Sequence, residues 1–134
     1  MSGFGVTRSF VDRFCVACCL ECFRCAFLGV GILLASQHNA RIHLVATVGV
    51  CGIGLLVGIS RLEWVAVAVA IVLVWVAEAL NTAFEFLCDV ASPEFHPLVR
   101  KGKDVAAAAV LLSAAGAVAI GLLVFLPHVA RIVG

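Results

Sequence analysis

Three long apolar runs, at residues 42–59, 64–90 and 105–127, most constrain what this chain can become. A bilayer's hydrocarbon core is about 30 Å thick and is crossed by a helix of about 20 apolar residues. Each run meets that requirement. Inside lipid, an isolated segment satisfies its backbone amides by bonding to itself, so the runs predict helices. Composition agrees: 64% of the 134 residues are hydrophobic and 13% charged, whereas soluble domains sit nearer half and a quarter. Mean hydropathy is +1.21. A net charge of +1, without a basic tract or interleaved aromatics, gives no sign of nucleic-acid binding. Residues 1–13 lack an apolar core followed by a small-residue cleavage site, so no cleaved signal peptide is expected there.

A fourth apolar run, 15–36, is interrupted by Glu21 and Arg24 and preceded by Arg8, Asp12 and Arg13. Positive charge decides whether it crosses. If it lies in the interface, Arg8, Arg13, Arg24, Arg41, Arg100, Lys101 and Lys103 share one side, with Arg61 and Arg131 opposite. If it crosses, the two sides balance and Arg24 is stranded in lipid. The expectation is therefore a single all-α integral-membrane domain covering 1–134. It has an interfacial amphipathic helix at about 8–36 and transmembrane helices at about 42–60, 62–90 and 103–127. The N-terminus and the 89–104 segment would face the cytoplasm and the C-terminus the outside. Pro93 and Pro97 should break the chain after the second span, with Ser92 capping a short turn. Small residues at Gly54 and Gly58, and at Ala109, Ser113, Ala117 and Gly121, mark helix-packing faces.

Five of the seven cysteines, Cys15, Cys18, Cys19, Cys22 and Cys25, crowd the first run. Their neighbours are apolar, so they read as small hydrophobes rather than as a zinc framework. Reduced thiols also suit a segment facing the cytoplasm.

Against this background, Glu78, Asn81, Glu85 and Asp89 stand out in and at the end of the second span. Polar groups at membrane depth are costly and usually functional. At 100° per residue their spacing confines them to a stripe about 80° wide and about 16 Å long. The stripe ends near Arg100, Lys101, Lys103 and Asp104. Three readings are open: a buried network joining helices, a proton or cation pathway, or a site at the membrane edge. A pathway would want matching polar groups in the other spans. There, 42–59 offers His43 and Thr47 near its start and 105–127 offers Ser113, so the polar material gathers at one end.

Acids beside lysines suit phosphoryl transfer. Magnesium takes oxygen ligands, commonly one or two carboxylates plus substrate phosphate. The reaction also needs positive charge on the nucleotide and a base at the attacking hydroxyl. Glu85 and Asp89 suit metal or nucleotide, Glu78 suits a base at a lipid head group, and Lys103 suits a β- or γ-phosphate. Gly102-Lys103 lacks the glycine spacing and following Ser/Thr of a Walker loop, so any ATP site is of another kind.

The segment Glu78-Ala79-Leu80-Asn81-Thr82-Ala83-Phe84-Glu85, followed by Asp89, Glu94-Phe95-His96-Pro97 and Lys103-Asp104, resembles the signature of the small prokaryotic diacylglycerol kinase and undecaprenol kinase family. Asn39-Ala40-Arg41-Ile42-His43 is similar to the stretch entering that family's first span, particularly in the undecaprenol kinase branch. The resemblance covers about residues 25–125, with Thr7-Arg8 a further N-terminal match. It implies a homotrimer of three-span subunits in a bacterial cytoplasmic (inner) membrane, with composite active sites that use ATP and Mg2+. Glu78 would be the catalytic base, Asn81 would position the lipid, and Arg41 would meet phosphate at the inner leaflet. Glu85 would hold magnesium, with Asp89 a further candidate. Arg8, Glu94, Phe95, His96, Lys103 and Asp104 would contact ATP.

One departure stands out. Gln37 occupies the position of a second metal-binding glutamate in the family, which removes a negative charge and should lower metal affinity. Phe95 stands where tyrosine is common. The expected activity is ATP-dependent phosphorylation of diacylglycerol or undecaprenol, with a lean toward undecaprenol. The rivals are a small proton- or cation-coupled transporter and a catalytically weakened relative.

Overall fold

The computed structural model describes residues 16–133 as four helices: α1 (Val16–Ser36), α2 (His38–Val57), α3 (Arg61–Ala91) and α4 (Pro97–Val133). No strand occurs among the described residues. Arg8, Arg13 and Cys15 lie outside them, as does the start of the expected interfacial helix. Three helices, α2, α3 and α4, are long and apolar enough to cross a membrane.

Helix α1 forms a unit of its own, and residues 37–134 form a second. Along α1, Arg24 pairs with Glu21 across one turn at 3.4 Å. Phe23, Phe27 and Leu28 are exposed. Such a mixture of charge and exposed apolar surface is what an interfacial helix presents. Cys22 and Cys25 are free, exposed thiols.

In the second unit α3 packs chiefly against α4 and less extensively against α2. The turn between α2 and α3 is set by two local devices. Gly58 ends α2 in the left-handed region at φ +72°, and its N–H donates to the Gly54 carbonyl at 3.0 Å. Ser60 then opens α3 with a capping box: its hydroxyl accepts from the Glu63 N–H, and the Glu63 carboxylate accepts from the Ser60 N–H at 2.6 Å. Gly58 therefore serves as a cap rather than a packing residue. Gly54 does mark a close approach, because a Cβ there would lie 3.0 Å from the Trp64 ring.

The sequence expectation placed the basic cluster in a loop. The loop is shorter, 92–96, and Arg100, Lys101 and Lys103 stand in the opening turns of α4. Pro97 starts the helix instead of breaking it, since the first helical residue has no intrahelical use for an N–H. His96 completes the cap: its carbonyl accepts from the Arg100 N–H at 3.1 Å and its Nδ1 from the Leu98 N–H at 3.3 Å. Ser92 is the C-cap of α3, and its hydroxyl donates to the Glu94 carbonyl. At the other end α4 runs through Pro127 to Val133 rather than stopping. A proline costs one backbone bond, whereas unwinding would expose several amides at the membrane edge. The Arg131 side chain also donates to the Pro127 carbonyl at 3.3 Å.

Ile59, Val67 and Val124 form a buried cluster, with Trp64, Ile120 and Phe125 packed around it. Trp75 is tied inward, its indole N–H donating to the Thr47 hydroxyl at 3.1 Å. Outward faces carry Leu56 and Leu62, each more than 80% exposed, as lipid-facing residues are. At 1.5 Å per residue, Glu78 lies about 25 Å along α3 from Arg61 and Glu85 about 36 Å. With Arg61 at one membrane edge, Glu78 falls just inside the opposite edge of a hydrocarbon core about 30 Å thick, and Glu85 beyond it.

Candidate active site

Glu78, Asn81 and Glu85 line a cavity of about 280 Å³ whose other walls include Asn39 and His43 of α2 and Ala107 and Ala114 of α4. Glu78 is 1% exposed and Asn81 8%. The apolar residues that make α3 a membrane helix thus carry a carboxylate into the interior. Thr82 supports this stretch by donating to the Glu78 carbonyl at 2.9 Å.

The polar atoms form a short relay. The Asn81 amide nitrogen donates to one oxygen of Glu85 at 3.0 Å. The Gln37 amide nitrogen donates to the other at 3.2 Å. Gln37 occupies the N-cap position of α2 but caps nothing, because its side chain is directed to Glu85. An amide can donate to a carboxylate, whereas a glutamate there would repel it. With Asn81 oriented by Glu85, its carbonyl oxygen has no partner, and neither has Oε2 of Glu78. Buried polar atoms are normally paired. Two acceptor atoms beside one cavity suit a ligand that brings donors.

At the adjoining end of the bundle Lys103 donates to Asp89, joining α4 to α3. Arg100 pairs with Asp104 at 3.3 Å within α4. Glu94, Phe95 and His96 are exposed in the loop and its cap, and Arg41 is exposed on α2. The fold therefore gathers Gln37, Glu78, Asn81 and Glu85, and separately pairs Asp89 with Lys103. Asp89, Glu94, Phe95, His96, Lys103 and Asp104 do not line the cavity. Among the described residues no group of three His, Cys, Asp or Glu side chains could hold a metal ion.

Sequence reasoning gave little weight to His43, which faces the cavity with Glu78. Its signal was its position one helical turn after Asn39, another lining residue. The α4 contribution was hidden, because Ala107 and Ala114 read as ordinary membrane residues. The small-residue ladder of α4 is also divided: Ala117 and Gly121 border a second cavity, while Ser113 bonds back to the Ala109 carbonyl.

The family model for prokaryotic diacylglycerol kinase matches residues 24–125. Undecaprenol kinase of Bacillus subtilis (strain 168) is 36% identical over 99 residues, covering 74% of this chain and 80% of that protein. Diacylglycerol kinase of Synechocystis sp. (strain ATCC 27184 / PCC 6803 / Kazusa) is 39% identical over 114 residues, covering 81% of this chain and 62% of that protein. The matched region contains all four helical segments just described except the start of α1 and the end of α4. The chain belongs to the prokaryotic diacylglycerol kinase family.

Proposed function

We propose that this protein is a membrane lipid kinase that transfers the γ-phosphoryl group of ATP to the hydroxyl of a lipid, diacylglycerol or undecaprenol. The observation that carries the reading is the buried pair of unpartnered acceptors, Glu78 Oε2 and Asn81 Oδ1, at a cavity near the membrane edge. A lipid hydroxyl entering there donates its proton toward Glu78. As its oxygen attacks the γ-phosphorus, the bond to the β-bridging oxygen breaks, the proton passes to Glu78 and ADP leaves. Asn81, held by Glu85, positions the acceptor. The burial of Glu78 and Asn81 strengthens each of these polar contacts.

Lys103 supplies positive charge for the nucleotide once it leaves Asp89, and Arg8, Glu94, Phe95, His96 and Asp104 are the further ATP contacts we assign. Magnesium fits the residues present in a restricted way. Glu85 offers one carboxylate, and Gln37 offers an amide oxygen after its side chain turns over. Phosphate oxygens complete a set typical of this ion. Magnesium would neutralise charge on the phosphates; the chain's own part is to keep Glu85 in place through Asn81.

The same reading gives a homotrimer with composite sites between subunits, in a bacterial cytoplasmic membrane, with the N-terminus and the site on the cytoplasmic face. The distribution of arginine and lysine supports that orientation. A transport pathway is disfavoured, since the cavity beyond His43 is walled mainly by alanine, valine and isoleucine.

The test is a side-by-side assay in mixed micelles with labelled ATP, magnesium and each acceptor. Label should enter the lipid fraction with at least one of them, and Glu78→Gln should lower its rate of entry by about 10²–10⁴. If neither lipid is labelled at high magnesium, the kinase reading fails.

A further inference from the structure

A second cavity, of about 230 Å³, lies beside the first, between α2, α3 and α4. His43 and Ala114 border both. Its α3 wall is formed by Val74, Ala70, Ile71 and Val67, which are one to three turns from Glu78 toward Arg61. It therefore extends from about 6 Å to about 16 Å beyond Glu78 into the hydrocarbon. Thr47 brings a hydroxyl to this wall, and that hydroxyl is already engaged, donating to the His43 carbonyl at 2.7 Å and accepting from Trp75. On the α4 side the space exists because Ala117 and Gly121 are small, and a Cβ built at Gly121 meets no atom within 4 Å.

We propose that this second cavity is a slot for the hydrocarbon chain that carries the reacting hydroxyl, and that it selects a single-chain lipid alcohol over a two-chain glycerolipid. The proposal rests on the lipid kinase reading and goes further by naming the acceptor class. Continuity with the Glu78 cavity argues for the occupant. A hydroxyl at Glu78 belongs to a lipid whose tail must lie deeper in the membrane, and the adjoining space in that direction is apolar and elongated along α3. A linear alcohol runs straight from one cavity into the other. A diacylglycerol branches within a few atoms of its hydroxyl, so one chain enters and the second is left outside, displaced from the mouth of the slot. The walls alternate small alanine and glycine with branched valine and isoleucine, which leaves room for the methyl branches of an isoprenoid.

The experiment compares kcat/KM for three acceptors: undecaprenol, dioleoylglycerol and prenol, a single isoprene unit too short to pass Val74. Gly121→Leu fills the slot, and Gly116→Leu adds the same side chain on an exposed face of α4, again with no atom within 4 Å of the new Cβ. The wild type should favour undecaprenol over dioleoylglycerol by about tenfold or more. Gly121→Leu should lower kcat/KM for undecaprenol by about tenfold or more, the scale on which an apolar pocket discriminates. It should leave prenol within about twofold, and Gly116→Leu should match the wild type on all three. An unchanged rate with undecaprenol in Gly121→Leu overturns the slot. So does a parallel loss with prenol, an equal loss in Gly116→Leu, or a wild-type preference for dioleoylglycerol. If the wild type phosphorylates none of the three, the lipid kinase reading itself has failed and the slot falls with it.

Discussion

Gln37→Glu gives the sharpest test of how the polar relay is built. In the present chain the Gln37 amide donates to Glu85 at 3.2 Å. The substitution removes a hydrogen bond to a charged group, worth about 1.5–3 kcal/mol. It also sets two carboxylates face to face, and at a separation of about 4 Å and an effective dielectric of about 20 the repulsion is about 4 kcal/mol. Relaxation of the two side chains, with Glu85 half-buried, reduces the sum, so a net loss of about 2–4 kcal/mol without divalent cation is expected. Magnesium reverses the sign, because two carboxylates then share a cation. The variant should unfold at a lower temperature than the wild type in chelator. It should also gain markedly more stability from magnesium, by about 2.7 kcal/mol when the ion is at about 100 times its dissociation constant. The assay is thermal unfolding in detergent micelles with and without magnesium, supported by titration with manganese as a spin probe. Equal magnesium-induced shifts in the two proteins, with equal manganese affinity, would refute the reasoning.

Other outcomes follow from particular contacts. Glu78→Gln keeps the volume of the buried side chain, so the protein should fold and bind ATP. Its phosphorylation rate should fall by about 10²–10⁴, the usual contribution of a positioned base, as measured by label transfer. Ser60→Ala removes one half of the capping box and should cost about 1 kcal/mol, read as a lower unfolding temperature with activity unchanged below it. Gly58→Ala forces a Cβ into the left-handed region at φ +72° and should cost about 1–2 kcal/mol by the same measurement.

Much of the fold was legible because membrane helices declare themselves through length and apolarity. Helices long and apolar enough to cross a membrane cover the three expected runs, the first as far as Val57, and the stripe of Glu78, Asn81 and Glu85 does face one cavity. Helix ends were less legible. Pro97, expected to break the chain after the second span, opens α4, and Pro127, where the third span was expected to end, lies within it. Proline excludes a backbone donor, and whether that ends a helix depends on the position in the turn and on what surrounds it.

The sequence by itself determined the helices, the grouping of the acidic stripe on one face and the anomaly at Gln37, because each depends on residue type and periodic spacing along one segment. Pairing needed the tertiary structure. Only there does Gln37 donate to Glu85 and Lys103 reach Asp89, while His43 and Ala114 join a polar cavity to an apolar one. These relations link residues of different helices, and no periodicity within one helix encodes how closely two helices approach or what space their small residues leave between them.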